Sequence, residues 1–130
     1  MARSILIVDD EPDTLIMLRD LLEGEGYDVH TAEDGASAIE SLQKGTPDLI
    51  ILDLMMPGMD GFEFVRHKTK LGLAPGVPII VLTALDTFTY NDMFLAEMLG
   101  VCLFMYKPFR AARLLENVQE ALRLSRPVKA

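Results

Sequence analysis

Cysteine is almost missing from this chain: Cys102 stands alone among 130 residues. A lone thiol excludes an internal disulfide framework and suits a reducing compartment. No apolar run approaches the ~20 residues that cross a bilayer. The N-terminus enters an apolar strand within four residues, so no signal peptide is visible. Basic residues are the minority, 12 against 20 acidic ones, giving a net charge of −8 and an isoelectric point near 4.6. That balance argues against nucleic acid or an anionic membrane as a direct partner. There is no internal repeat and no low-complexity linker, and 130 residues make one ordinary domain with a single core. The expectation is one soluble, cytoplasmic domain over residues 1–130, with residues 125–130 a tail or the start of a linker.

What is present is organised around Pro47 to Gly61, Pro-Asp-Leu-Ile-Ile-Leu-Asp-Leu-Met-Met-Pro-Gly-Met-Asp-Gly. A short apolar run bounded by Pro47 and Pro57-Gly58 reads as a strand buried on both faces of a parallel sheet. Asp53 is the wrong residue for the middle of such a strand. It fits where the strand ends, so that the carboxylate leaves the core at the carboxyl edge of the sheet.

The rest of the chain repeats this grammar. Ser4 to Val8 is a buried strand that ends in Asp9-Asp10-Glu11, and Pro12 suits the first turn of a helix carrying Leu15, Leu18 and Leu22 up to Gly24 and Gly26. A strand over Tyr27 to Thr31 precedes a helix from Asp34 to Gly45 with Ala38, Ile39 and Leu42 on its apolar face. After the Asp53 strand, Gly61 to Lys70 reads as a helix with Phe62 and Val65 inward and a basic remainder. Pro78 to Leu82 is a strand that stops at Thr83-Ala84, Thr87 to Leu99 a fourth helix, Val101 to Tyr106 a last strand and Phe109 to Leu124 a last helix. Five strands alternating with five helices predict an α/β fold, a doubly wound parallel sheet.

In such a sheet the ligand crevice lies outside the carboxyl ends of the strands. Asp9 and Asp10, Asp53, Thr83 and Lys107 each sit at the carboxyl end of a different apolar run. Three carboxylates crowded there raise one another's pKa or demand a cation. Oxygen ligands alone suit Mg²⁺, and neither Cys102 nor His30 or His67 lies where zinc would need it. An Asp facing a bound cation can act as a nucleophile and form an aspartyl phosphate. A Lys ammonium and a Thr hydroxyl then serve the phosphoryl oxygens. Singly, each residue has a plainer reading: Asp9-Asp10 as a helix cap, Thr83 as a turn hydroxyl, Lys107 as a solvated charge. Their joint spacing favours the site.

Val8-Asp9-Asp10-Glu11, Leu52-Asp53-Leu54-Met55-Met56-Pro57, Asp60-Gly61, Leu82-Thr83-Ala84 and Lys107-Pro108-Phe109 together resemble the receiver domain of two-component response regulators. The resemblance covers essentially the whole chain. It implies a flavodoxin-like five-stranded sheet of order 2-1-3-4-5 with five helices, and a switch phosphorylated on Asp53 by a sensor histidine kinase or phosphotransfer protein. By position, Asp10, Asp53 and the Met55 carbonyl would hold Mg²⁺, with Asp9 assisting. Thr83 and Lys107 would bind the phosphoryl oxygens. Thr83 and Phe104 would report them to the face built from the fourth helix, the last strand and the last helix, where a second copy or an output partner docks. The resemblance also implies a cis peptide bond between Lys107 and Pro108.

Two other functions compete with this one. A haloacid dehalogenase-type hydrolase expects a second Asp two residues after Asp53, where Met55 stands and cannot act as acid or base. A receiver-like binding module that acts without phosphorylation would not need Asp9, Asp10, Asp53, Thr83 and Lys107 together. The expected role is therefore a phosphoacceptor, not a turnover enzyme on an external substrate. By the same resemblance, Met55 and Leu85, two residues after Asp53 and Thr83, flank the path of the attacking water, and apolar side chains there imply slow loss of the phosphoryl group. Tyr90, Phe94 and Met98 form a second apolar stripe on the fourth helix, expected to be a docking patch.

Overall fold

The computed structural model describes residues 2–56, 58–84 and 103–124. The expected fourth helix over Thr87–Leu99, its Tyr90, Phe94 and Met98 stripe, Leu85 and Cys102 lie outside these residues. Five strands, β1 (Ser4–Val8), β2 (Asp28–Ala32), β3 (Leu49–Leu52), β4 (Ile79–Ala84) and β5 (Leu103–Lys107), form one sheet of order β2-β1-β3-β4-β5. Every pairing is parallel. Among the described residues, four helices cover the sheet: α1 (Pro12–Gly24), α2 (Gly35–Lys44), α3 (Gly61–Lys70) and the C-terminal helix (Ala111–Leu124).

Alternation along each strand divides the core in two. Ile5 and Ile7, Leu49 and Ile51, Ile80 and Leu82 face α1 and the C-terminal helix, meeting Leu15, Leu18, Leu22, Leu114 and Val118. Leu6 and Val8, Ile50 and Leu52, Ile79 and Val81 face α2 and α3, meeting Ala38, Leu42, Phe64 and Val65. Burial on both faces explains why the central strands read as unbroken apolar runs.

Local chemistry starts each helix. Asp34 caps α2 by accepting from the Ser37 backbone N–H at 2.7 Å, and those Ser37 hydrogen bonds hold its carboxyl below the usual range. Asp60 caps α3 by accepting from the Glu63 N–H at 2.9 Å. Gly61 follows where a Cβ would sit 2.7 Å from the Leu54 Cα and 2.9 Å from the Asp53 carbonyl oxygen. Only a residue without a side chain lets α3 begin this close to the carboxyl end of β3.

Boundaries differ from expectation in four elements. β2 begins at Asp28, because the Tyr27 N–H is taken by the Leu22 carbonyl at the end of α1. β4 and β5 continue through Ala84 and Lys107, so Thr83 and Lys107 are themselves strand residues. The C-terminal helix begins at Ala111, not Phe109. The buried stripe of α3 is Gly61, Phe64, Val65 and Lys68, with Phe62 only partly covered.

Lys68 breaks the apolar pattern of that stripe: it is 7% exposed and donates to the carbonyls of Leu73 (3.3 Å) and Ala74 (3.2 Å). The amine thus ties the loop after α3 back onto the helix, and burial pushes its pKa down. Lys68→Met keeps the apolar stem but strands one buried and one part-buried acceptor, an expected loss of about 1–3 kcal/mol in denaturant unfolding. Below its depressed folded pKa the native state carries the full cost of a buried charge. As pH rises from there towards the unfolded value, the native state sheds its proton first, so stability grows. That alkaline gain should be present in the wild type and missing in Lys68→Met.

Candidate phosphoacceptor and metal site

The carboxyl ends of β1, β3, β4 and β5 deliver the predicted residues to one crevice. Asp9 and Asp53 come directly after β1 and β3, and their own N–H groups extend the ladder, Asp9 to the Ala32 carbonyl at 3.1 Å and Asp53 to the Val8 carbonyl at 2.9 Å. The backbone is therefore still held by the sheet where the two acids emerge. Both side chains are buried, and Asp10 is the more open neighbour. Carboxylate oxygens of Asp9, Asp10 and Asp53 lie within 4.8 Å of one another.

Each buried oxygen is positioned. Asp53 Oδ1 accepts from the Thr83 hydroxyl at 3.2 Å and from the Met55 N–H at 3.0 Å. Asp53 Oδ2 faces Lys107 Nζ at 3.4 Å, and the same ammonium donates to Asp9 Oδ2 at 2.9 Å. Thr83 is fully buried, so its hydroxyl is committed to this crevice. The Met55 side chain points out, half-exposed, and only its backbone joins the site. The peptide bond between Lys107 and Pro108 is cis, as expected.

Electrostatics follow from this crowding. Burial pushes the Asp9 carboxyl up, Asp53 adds to the rise, and hydrogen bonds from the Glu11 N–H and Lys107 oppose it. For Lys107, burial works against the charge, but hydrogen bonds to Glu11 and Asp9 and the fields of Asp53 and Asp9 outweigh it and raise its pKa. Asp9, Glu11 and Asp53 share the Lys107 ammonium, and Asp10 adds a further carboxylate beside Asp9 and Asp53. Negative charge is thus in excess, and a compact all-oxygen set of this kind fits a hard divalent cation such as Mg²⁺.

Phe104 stands apart from the acids. It lies opposite Val81 in β5 and packs partly against the core beneath α2 and α3. The sequence reading missed Glu11, whose carboxylate meets Lys107 Nζ at 2.8 Å. A signal was available. Glu11 occupies the N-cap of α1, where Ser, Thr, Asp or Asn would be favoured, and its side chain makes no capping bond.

Strand order, with the crevice at the carboxyl ends of the strands, defines a flavodoxin-like fold. The chain belongs to the response regulator receiver domain family, whose model matches residues 5–119. It is 40% identical over 124 residues to the DNA-binding response regulator MtrA of Mycolicibacterium smegmatis, covering 95% of this chain and 52% of that protein. The chain thus spans about half the length of this curated relative. The chemotaxis protein CheY4 of Vibrio cholerae superposes with a TM-score of 0.86 at 32% identity, over 93% of this chain and 99% of that one. NtrX of Brucella abortus gives 0.85 at 31% identity, over 96% of this chain and 28% of that one. No described helix is long and apolar enough to cross a membrane.

Proposed function

We propose that this domain is a phosphorylation-dependent switch in which Asp53 takes a phosphoryl group from the phosphohistidine of a sensor kinase or phosphotransfer protein. The observation that carries the reading is the fixed state of Asp53: 5% exposed, one oxygen held by Thr83 and Met55 N–H, the other facing Lys107. One Asp53 oxygen forms the new O–P bond as the P–N bond to the histidine breaks, and the departing imidazole nitrogen keeps the electron pair and is reprotonated by solvent. Thr83 and Lys107 then donate to the phosphoryl oxygens, which need preorganised donors and positive charge. Asp9, Asp10, Asp53 and the Met55 carbonyl would hold Mg²⁺, which when bound neutralises charge on the phosphoryl oxygens.

The domain acts as a phosphoacceptor rather than as a turnover enzyme. Its readout runs from Thr83 through Phe104 to the surface of β5 and the C-terminal helix, where a cavity of about 610 Å³ is lined by Phe104, Tyr106, Phe109 and Arg113. A second copy or an output partner docks there. Met55 offers no group to orient an attacking water, so the phosphoryl group leaves slowly.

Intact-mass measurement after incubation with acetyl phosphate and Mg²⁺ tests the reading. One phosphoryl adduct is expected, abolished by a chelator. Absence of any adduct would leave a receiver-like binding module that works without phosphorylation, and continuous hydrolysis of acetyl phosphate would make the domain an enzyme.

A further inference from the structure

We infer that Glu11 is a positioning residue, which draws the Lys107 ammonium outward and so lets a divalent cation occupy the Asp9 and Asp53 oxygens. The inference rests on the reading of Asp9, Asp10 and Asp53 as a cation site. Lys107 Nζ lies closest to Glu11 Oε1, at 2.8 Å, next to Asp9 Oδ2 at 2.9 Å and farthest from Asp53 Oδ2 at 3.4 Å. In this arrangement the lysine sits on two oxygens that a cation needs.

Burial distinguishes the three partners. The Asp9 and Asp53 side chains are 3% and 6% exposed, whereas that of Glu11 is 60% exposed and approaches Lys107 from the solvent side. Its backbone is tied to the same site, because the Glu11 N–H donates to Asp9 Oδ1 at 2.9 Å. When a cation claims the inner oxygens, Lys107 keeps one full ion pair by remaining on Glu11. Without that outer carboxylate the ammonium falls back on Asp9 and Asp53, and cation binding must displace it entirely.

Mg²⁺ titration by calorimetry on the intact chain tests this. Glu11→Gln is expected to weaken Mg²⁺ binding roughly three- to fivefold, the scale of a partly exposed ion pair. In a Lys107→Met background the same change should have no effect. If Glu11 acts as bulk charge or as a direct ligand, the loss will persist in that background and the inference is overturned. A second measurement does not depend on the double variant: acetylation of Lys107 by acetic anhydride, read by peptide mass in chelator, should change rate in Glu11→Gln, and an unchanged rate overturns the inference. Wild-type protein that fails to bind Mg²⁺ would instead sink the cation-site reading.

Discussion

Asp53→Asn is expected to take up no phosphoryl group from acetyl phosphate while unfolding at higher denaturant than wild type in the absence of divalent cation. The first half follows from chemistry: an amide oxygen is too poor a nucleophile to replace the carboxylate. The second follows from crowding. Asp53 and Asp9 are both buried, and the Asp53 charge helps hold the Asp9 carboxyl above its ordinary value. Asn keeps an oxygen for the Thr83 hydroxyl and Met55 N–H and removes one of two like charges. The weak 3.4 Å contact with Lys107 is lost, but Lys107 retains Asp9 and Glu11. A net gain on the order of 1 kcal/mol is expected.

The pH dependence has a definite sign. Since the folded pKa of Asp9 is raised, its burial costs nothing below the unfolded value. The cost builds as pH rises through the folded one. The advantage of Asp53→Asn should therefore be greatest near neutrality and fade in acid. Equal or lower stability at neutral pH in chelator would show that Lys107 more than compensates the second carboxylate. A surviving adduct would move the acceptor to another residue.

The fold was legible because its signals are redundant. Residues 5–8, 49–52 and 79–82 are apolar on both faces, a pattern that parallel strands between two helical layers produce. Leu15, Leu18 and Leu22 gave the inward face of α1 directly. Pattern failed where a polar residue did apolar duty. Lys68 takes a core position by covering its amine with two carbonyls, and periodicity alone reads it as solvent-facing. The start of β2 was misplaced because one hydrogen bond, from the Tyr27 N–H to the Leu22 carbonyl, has no signature in residue type.

The site was legible for a different reason. A carboxylate, a hydroxyl or an amine at the end of an apolar run is costly to bury and cheap to use, and the topology brings four such ends to one crevice. What residue types do not reveal is how charges share partners. The distribution of Lys107 over Asp9, Glu11 and Asp53 depends on side-chain reach and on the extended backbone at Glu11. The motif therefore pointed to the lysine but not to its nearest carboxylate.

That distribution makes Lys107→Met the substitution with the largest expected cost to the metal-free fold. Lys107 is the cation shared by two carboxylates, each about 95% removed from solvent, and by the more exposed Glu11. Removing one partner of a buried ion pair costs roughly 3–5 kcal/mol. Here the lysine side chain is 20% exposed and the crevice opens beside Asp10, so solvent screening lowers the expectation to about 2 kcal/mol. A lysine whose folded pKa is raised gives stability that is complete below its unfolded value and lost only as pH passes the folded one. The gap between wild type and variant should therefore stay constant from neutrality into the mildly alkaline range. It should close in acid, where Asp9, with its raised pKa, loses the charge that needed a partner. Mg²⁺ should narrow the gap at neutral pH by supplying another cation to the same oxygens. Denaturant unfolding of both proteins in chelator and in Mg²⁺, at neutral and acidic pH, checks all three statements. A variant as stable as wild type in chelator at neutral pH would mean that solvent, rather than Lys107, neutralises the crevice.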